Sequence, residues 1–211
     1  MRDARGATLR ADGIGKNYDL RPVLSGISFD ISQGEILGIA GSNGSGKSTL
    51  MKILANVLER SAGEVAWEID AHPIDPDRLH PHIGFVSPYL NLYTEFTGRE
   101  HLLLLNDLRG STFSSQHAES LIERFGLQSR FSDRLGDYSS GMFQRAKLIL
   151  ALAHDPAFLF LDEPATNLDE DGIRAMYHEV ETGRAERVTV IASNDANDLD
   201  RCSSIITLGG E

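Results

Sequence analysis

A glycine-rich segment that follows the apolar run Ile36–Ala40 carries residue types suited to binding phosphate. Its glycines let successive backbone N–H groups face phosphate oxygens, and a helix that begins there adds free donors and its dipole. The candidate nucleotide-binding residues are Gly41, Ser42, Asn43, Gly44, Ser45, Gly46, Lys47, Ser48 and Thr49. We expect Lys47 to reach the β- and γ-phosphates and the Ser48 hydroxyl to bind Mg²⁺. A glycine-rich turn without a ligand is the alternative interpretation.

A pair of carboxylates follows a second apolar run, Phe158–Leu161. Asp162 and Glu163 then lie at the end of a predicted strand, where ligands bind in open α/β sheets. We expect Asp162 to hold Mg²⁺ through water and Glu163 to polarise an attacking water as the catalytic base. An ordinary acidic exit from a strand is the alternative.

The composition limits the classes of protein and of partner. The chain has 211 residues, of which 41% are hydrophobic, so it can build its own core. A formal net charge of −11 makes nucleic acid an unexpected partner, because that binding depends on Lys and Arg. No apolar run approaches the ~20 residues needed to cross a bilayer. We therefore expect a soluble protein that reaches a membrane only through a partner.

The order of predicted elements places these motifs in an α/β fold. Strands are predicted over 8–14, 27–31 and 35–40, followed by a helix over 50–58 and an edge strand over 64–69. Residues 70–81 are a predicted loop and Ile83–Val86 a short strand. Three helices are predicted within 97–153, the first with Thr97 and Glu100 at the spacing of a capping box. Strands and helices then alternate to the end, which predicts a mostly parallel sheet.

The predicted architecture is therefore a single domain over residues 1–211 with two lobes. A P-loop NTPase core lobe comprises 7–87 and 155–211, with an antiparallel β region at its N-terminal side. A helical subdomain, 88–154, is inserted into that core.

One segment at the start of the third predicted helix, 139–153, carries a family resemblance. Residues 138–142 are Tyr-Ser-Ser-Gly-Met and are followed by Gln144 and Arg145. Together with the two motifs above, this segment resembles the signature of the ATP-binding subunits of ABC transporters, a variant of Leu-Ser-Gly-Gly-Gln. The resemblance extends from Tyr18 to Leu208. It implies that Ser139 and Gly141 of one chain close over the γ-phosphate of ATP bound by a second chain. A helix cap without a ligand is the alternative.

Other parts of the chain take further roles from this resemblance. Tyr18 matches the aromatic residue that stacks on adenine, although plain packing is also possible for a lone tyrosine. Residues 166–169 match a loop that crosses the dimer interface. Residues 91–102 resemble the surface that receives a helix of the membrane subunit, and apolar residues from Tyr89 to Phe96 suggest a docking face there.

Two positions depart from the family pattern. The resemblance implies a glutamine that contacts Mg²⁺ and water where this chain has Pro88, and the hydroxyl of Ser87 is a candidate substitute through water. It also implies a histidine at the γ-phosphate where this chain has Asn194. Asparagine donates a hydrogen bond, but its amide does not take up a proton or become charged near neutral pH. We expect Asn194 to keep a neutral catalytic contact and hydrolysis to be slow.

The resemblance implies an ATP-binding and ATP-hydrolysing subunit of an ABC transporter, of an export type. Its ligands are ATP and Mg²⁺, and its partners are a second copy or a homologous subunit and a transmembrane subunit. The chain is then cytoplasmic and peripheral on the inner face of the membrane. A soluble regulatory clamp with little hydrolysis is the first alternative. A P-loop small-molecule kinase, the second, would leave residues 139–145 unexplained.

Overall fold

The computed structural model describes residues 6–19, 21–109 and 114–209. The ends of the predicted domain, residues 1–5 and 210–211, lie outside the described residues. Within the described ranges, no helix combines the length and the apolar character needed to cross a membrane.

Nine strands and six α-helices, numbered in chain order, make up the regular structure of the described ranges. The strands are β1 Thr8–Tyr18, β2 Arg21–Ser32, β3 Ile36–Ala40, β4 Ala62–Ile69, β5 His72–Pro73, β6 Ile83–Val86, β7 Phe158–Asp162, β8 Val188–Ala192 and β9 Ser204–Thr207. The helices are α1 Lys47–Leu54, α2 Gly98–Arg109, α3 Ser115–Arg124, α4 Ser140–Leu152, α5 Glu170–Thr182 and α6 Ala196–Leu199.

The strands form two sheets. An antiparallel sheet has the order β2-β1-β4-β5 and includes the N-terminal strands. The second sheet has the order β6-β7-β8-β3-β9, and all of its pairs are parallel. The predicted α/β fold, with a parallel sheet and an N-terminal antiparallel region, is confirmed.

The parallel sheet separates two hydrophobic clusters, because alternate residues of a strand face opposite sides. Phe158 and Phe160 of β7 belong to the cluster that includes α1 and the antiparallel sheet. Leu159 and Leu161 belong to the cluster formed with α3, α4 and α5. All five residues of β7 are buried, as predicted for a strand that is covered on both faces. The candidate site therefore rests on the most buried layer of the chain.

The helix after the phosphate-binding segment begins and ends earlier than predicted. We expected it over 50–58, and it ends at Leu54. Asn56 adopts a left-handed conformation with φ of 55°, which closes the helix. The N–H of Val57 then donates to the carbonyl of Lys52, and that of Asn56 to the carbonyl of Ile53. Apolar periodicity predicted the helix, but its local C-terminal cap ends it four residues early.

Two other predictions need correction. The strand predicted over 64–69 begins at Ala62 and pairs with β1 on one side and with the two-residue β5 on the other, so it is not a simple edge. The predicted loop 70–81 contains β5 and a short 3-10 helix, Pro76–Arg78, and a second 3-10 helix, His80–His82, begins within it. Prolines set φ values that suit such a turn, which explains the regular structure inside a loop-like sequence.

The capping box that begins α2 is present as predicted. The N–H of Thr97 donates to Oε2 of Glu100 at 2.8 Å, and the N–H of Glu100 donates to Oγ1 of Thr97 at 3.1 Å. These two bonds satisfy donors that have no partner within a helix. They fix the point at which the chain enters the helical region after β6.

Candidate functional site

Four neighbouring strands of the parallel sheet end at one edge, and each leads into a candidate site residue. Ser87 follows β6, Asp162 ends β7, Asn194 lies two residues beyond β8, and residues 41–49 follow β3. Ligands of open parallel sheets bind outside the carboxyl ends of the strands. The strand order thus brings residues more than a hundred positions apart to one place.

The backbone of residues 41–49 has the conformation that its glycines allow. Gly41 has φ of 147°, and a Cβ there would lie 2.5 Å from the carbonyl oxygen of Leu208. Gly46 has φ of 102° and a Cβ there would lie 2.8 Å from Cδ2 of Leu24. Gly46 also caps α1 without a side-chain hydrogen bond, so the first N–H groups of the helix remain free to donate to a ligand. This is the geometry of an anion site.

Lys47 is buried and its amine is held by oxygen atoms of the loop. Nζ donates to the carbonyl oxygens of Gly41 at 2.7 Å and Ser42 at 3.4 Å. It also lies 3.6 Å from Oε1 of Glu163. A phosphate oxygen entering the loop would replace these acceptors with a full negative charge, which makes a shorter and stronger hydrogen bond.

Asn194 bridges two residues of the loop. Its Oδ1 accepts from Nζ of Lys47 at 3.0 Å, and its Nδ2 donates to Oδ1 of Asn43 at 2.9 Å. A carboxamide offers one acceptor and two donors, so it makes both bonds without any change of charge. Asn194 therefore lies beside the predicted phosphate-binding lysine, at the end of the strand next to β3.

Glu163 is held in an unusual backbone conformation beside Lys47. Its φ is 48°, and its N–H donates to the carbonyl of Ala192 at 2.8 Å. Non-glycine residues in this region cost about 1–3 kcal/mol and cluster at functional sites. Burial raises the pKa of the Glu163 carboxyl and outweighs the opposing effect of Lys47. A raised pKa brings a carboxylate closer to what a general base needs near neutral pH.

Asp162 has a buried oxygen atom without a partner. Oδ2 accepts from the Ser87 hydroxyl at 3.2 Å, whereas Oδ1 makes no hydrogen bond within the described residues. Burial raises the pKa of Asp162, although the nearby hydroxyls of Ser48 and Ser87 and the charge of Lys47 oppose this rise. An orphaned carboxylate oxygen next to a serine hydroxyl suits Mg²⁺, which prefers oxygen ligands and keeps several from water or phosphate.

Only two side chains, those of Ser48 and Asp162, are predicted to bind this metal. No group of three or more His, Cys, Asp or Glu that could hold a metal occurs in the part of the chain that the structure describes. Ser48 and Asp162 remain the predicted protein ligands, and Mg²⁺ is usually held by one or two carboxylates together with substrate phosphates.

A cavity of about 760 Å³ opens above the loop. It is lined by candidate residues from both halves of the chain, namely Tyr18, Asn43, Gly44, Gly46, Lys47, Ser48, Thr49, Glu163 and Asn194. The remaining loop residues Gly41, Ser42 and Ser45 support it, and the buried hydroxyl of Ser45 has no partner within the described residues. Tyr18 is 47% exposed at the rim, with Nζ of Lys16 at 5.2 Å from its ring centre. An exposed ring at the mouth of a polar cavity is free to stack on a base.

The signature segment lies outside that cavity and contacts the segment after Glu163. Ser139 caps α4 by accepting from the N–H of Met142 at 3.2 Å. A Cβ on Gly141 would lie 2.9 Å from the carbonyl oxygen of Asn167. Within one chain, Ser139 and Gly141 are thus not part of the site that contains Lys47.

Sequence reasoning missed Lys147 and understated Ser87. Ser87 contacts Asp162 directly, and Nζ of Lys147 donates to the carbonyl of Ser87 at 3.1 Å. A lysine between Ala146 and Leu148 interrupts an apolar helix face, and this anomaly was the available signal.

The fold and the arrangement of the loop, Asp162 and Glu163 define a P-loop nucleotide-binding domain. The sequence profile of the ABC transporter family matches residues 24–166. The chain belongs to the family of ABC transporter ATP-binding proteins.

Named relatives agree with this assignment. The chain is 32% identical over 166 residues to the uncharacterized ABC transporter ATP-binding protein YdbJ of Bacillus subtilis (strain 168), covering 79% of this chain and 54% of that protein. It is 33% identical over 178 residues to the Nod factor export ATP-binding protein I of Burkholderia pseudomallei (strain 1710b), covering 83% and 59%. The chain spans little more than half the length of these curated relatives.

A solved structure is similar over almost the full length. It is the dimeric, post-hydrolysis state of an ATP-binding cassette bound to ADP and Pi, with a TM-score of 0.80 and 26% identity. The match covers 95% of this chain and 94% of that one. This chain and that ATP-binding cassette therefore share one fold.

Proposed function

We propose that this chain binds ATP and hydrolyses it to ADP and phosphate as the ATPase subunit of an ABC transporter. The single observation that best supports this is the meeting of Lys47, Glu163 and Asn194 at one cavity. Phosphoryl transfer depends on positioning and on stabilising charge, and these residues provide a cation, a base and a neutral donor.

In the proposed reaction, the loop N–H groups and Lys47 bind the phosphates of ATP. Glu163 orients a water and accepts its proton while the water oxygen attacks the γ-phosphorus. The bond between that phosphorus and the bridging oxygen of ADP breaks, and the products are ADP and phosphate. Asn194 donates a hydrogen bond to a γ-phosphate oxygen and, unlike a histidine, adds no charge. We therefore expect slow turnover.

The proposed metal is Mg²⁺, with the Ser48 hydroxyl and Asp162 as the protein groups that would hold it. When bound, Mg²⁺ neutralises charge on the phosphates. The orphaned Oδ1 of Asp162 supports this role. Asp162 is fully buried at the end of β7, so the strand fixes its position.

We further propose a dimer that encloses two ATP molecules. Ser139 and Gly141 lie apart from Lys47 within one chain, so their proposed contact with γ-phosphate requires a second chain. The solved dimeric cassette with ADP and Pi supports this arrangement. The partner is a second copy or a homologous subunit.

A transmembrane subunit is the proposed second partner, reached from the cytoplasmic face of the membrane. The similarity to a protein named for Nod factor export supports an export role. A soluble regulatory clamp is not favoured, because the relatives are ATP-binding proteins of transporters. The cargo is expected to be recognised by the transmembrane subunit.

Two single substitutions test the proposal. Lys47→Ala removes the buried amine, so ATP binding measured by isothermal titration calorimetry is expected to be lost. Glu163→Gln keeps ATP binding and is expected to lower phosphate release by ~10²-fold or more, since it removes the base. The same variant is expected to form an ATP-dependent dimer in size-exclusion chromatography.

Arg10→Ala is the control, because this exposed residue pairs with Asp30 on the antiparallel sheet. It is expected to behave as the wild type. Retained ATP affinity in Lys47→Ala would contradict the assigned phosphate site. Equal phosphate release by the wild type and Glu163→Gln would instead favour a clamp that hardly hydrolyses ATP.

A further inference from the structure

A buried lysine lies on α4, the helix that Ser139 of the signature segment caps. Lys147 is 5% exposed, and no carboxylate of the described residues forms an ion pair with it. Its neighbours Ala146, Leu148 and Ile149 belong to the apolar cluster. Burial of a charged amine is costly unless hydrogen bonds offset it. The contacts of this amine therefore identify what it stabilises.

The protein acceptor of the amine is the backbone of Ser87. Nζ of Lys147 donates to the carbonyl oxygen of Ser87 at 3.1 Å and lies 5.3 Å from the ring centre of Phe143. The bond joins residues 60 positions apart and connects α4 to the end of β6. Because α4 begins at Ser139, the same helix carries the proposed contact with the second ATP.

Ser87 also contacts Asp162, the carboxylate proposed to hold Mg²⁺. It is 1% exposed, and its hydroxyl donates to Oδ2 of Asp162 at 3.2 Å. The N–H of Tyr89 donates to the same hydroxyl at 3.4 Å. Oδ1 of Asp162 stays unpaired, so Ser87 fixes one oxygen and leaves the other for Mg²⁺.

Pro88 makes this connection stiff. Its ring fixes its own φ and restricts the residue before it to extended conformations. The carbonyl of Ser87 accepts from Lys147, and the hydroxyl of the same residue donates to Asp162. Because Pro88 restricts the backbone of Ser87, these two groups keep a nearly fixed relative position. A glutamine side chain is absent at position 88, but a polar path from α4 to Asp162 exists.

We infer that Ser87 and Lys147 are positioning residues that orient Asp162 toward Mg²⁺ and connect its orientation to the placement of α4. This inference rests on the proposed function. Lys147 acts through Ser87, and neither residue touches ATP. Groups that orient metal ligands in this way typically contribute 10–100-fold to metal affinity.

The test compares ATP binding with Mg²⁺ and in EDTA by isothermal titration calorimetry. The ratio of the two dissociation constants reports how strongly the site uses the metal. Ser87→Ala is expected to reduce this ratio by about tenfold and to leave binding in EDTA unchanged. Ser87→Thr, which keeps the hydroxyl, is expected to restore part of the ratio.

Lys147→Met removes the amine but fills the same space. It is expected to reduce the ratio in the same direction, and the double variant is expected to be no weaker than Ser87→Ala alone. Ser120→Ala is the matched control, because its hydroxyl also donates within the helical region, to the carbonyl of His117. It is expected to match the wild type.

Each outcome decides between the inference and the proposed function. An unchanged ratio in Ser87→Ala overturns the inference alone. Equal binding with and without Mg²⁺ in the wild type overturns both the inference and the proposed Mg²⁺ site, and leaves the proposed ATP binding standing. Independent, multiplying effects of the two substitutions overturn the coupling through Ser87. Absence of any ATP binding by the wild type overturns the proposed function itself. If circular dichroism shows that Lys147→Met is unfolded, the Ser87→Ala and Ser87→Thr pair decides the role of Ser87, and Lys147→Gln replaces Lys147→Met in the double-variant comparison.

Discussion

At the scale of single residues, the chain places a neutral side chain where its family implies a titratable one. Asn194 accepts from Lys47 and donates to Asn43, so it is ordered by the loop itself. A histidine at this position can carry a proton near neutral pH, whereas an amide cannot. The difference concerns the charge beside Lys47, at the proposed position of the γ-phosphate.

We predict that Asn194→His raises the steady-state ATPase rate at neutral pH. Loss of one polar contact that acts in the transition state typically costs ~10²-fold, which sets the upper range of the gain. Phosphate release under saturating ATP and Mg²⁺ is the measurement. Asn194→Ala is the comparison and is expected to fall below the wild type. A rate for Asn194→His at or below that of the wild type would contradict the proposed role.

We also predict that Asp162→Asn stabilises the chain without nucleotide at pH 7. Burial holds the pKa of Asp162 above its unfolded value of about 3.9. The folded state therefore binds more protons than the unfolded state in the window above that value, and stability falls as pH rises through the native pKa. The Asp162→Asn variant has no carboxylate to ionise at this position, so it avoids this loss of stability.

Thermal unfolding at pH 7 and pH 4 checks this prediction. The Asp162→Asn variant is expected to unfold at a higher temperature than the wild type at pH 7, and the difference is expected to shrink at pH 4. For a chain of this size, 1 kcal/mol corresponds to roughly 2–4 °C. The variant is also expected to lose Mg²⁺-dependent hydrolysis. A lower unfolding temperature at pH 7 would show that the hydrogen bonds outweigh burial.

At the scale of elements, a buried carboxylate joins α5 to the turn that carries Asn194. Asp198 of α6 is 1% exposed. Its Oδ1 accepts from the hydroxyl of Tyr177 on α5 at 2.6 Å, and its Oδ2 accepts from the hydroxyl of Ser193 at 2.6 Å. Ser193 directly precedes Asn194, so this network fixes the turn beyond β8.

We predict that Tyr177→Phe lowers the free energy of unfolding by about 1–3 kcal/mol, because a buried carboxylate oxygen loses its partner. Urea denaturation is the measurement. Tyr93→Phe is the matched control, since Tyr93 is 64% exposed, and it is expected to change stability by less than about 0.5 kcal/mol. The ATPase rate of Tyr177→Phe is also expected to fall. Equal stability of the two variants would contradict a network that depends on Asp198.

At the scale of the whole molecule, exposed aromatic residues follow β6. Tyr89, Tyr93 and Phe96 are 71%, 64% and 40% exposed. Leu92, which the sequence placed in the same patch, instead packs against the helical cluster. Tyr93 stacks on the buried His101 with ring centres 6.1 Å apart, and Phe96 meets the His101 ring edge-on at 5.6 Å. An ordered aromatic patch on the surface suits a protein partner.

We predict that Tyr93→Asp reduces capture of the transmembrane subunit by at least about tenfold, since a charge in the desolvated centre of an interface costs several kcal/mol. Co-purification from detergent-solubilised membranes of the source organism is the measurement. Val57→Asp, at an equally exposed apolar residue after α1, is the control and is expected to retain capture. Equal capture by both variants would place the docking surface elsewhere.

The sequence by itself determined the features that depend on neighbouring residues. The phosphate loop, the carboxylate pair at the end of β7 and the capping box of α2 each lie within a few positions, so residue types and spacing fix them. Apolar runs gave the strands of the parallel sheet and their burial. Local signals were weaker where a cap competed with periodicity, as at Asn56.

The tertiary structure alone decided which distant residues meet. The order β6-β7-β8-β3 places Ser87, Asp162, Asn194 and the loop side by side, and no local signal encodes that order. The bond from Asn194 to Asn43 spans 151 positions and that from Ser87 to Asp162 spans 75. Such contacts depend on how strands pair and helices pack, because burial is a property of the whole chain. The physical reason is that the phosphate loop forms locally, but the charges and hydrogen bonds around it come from packing.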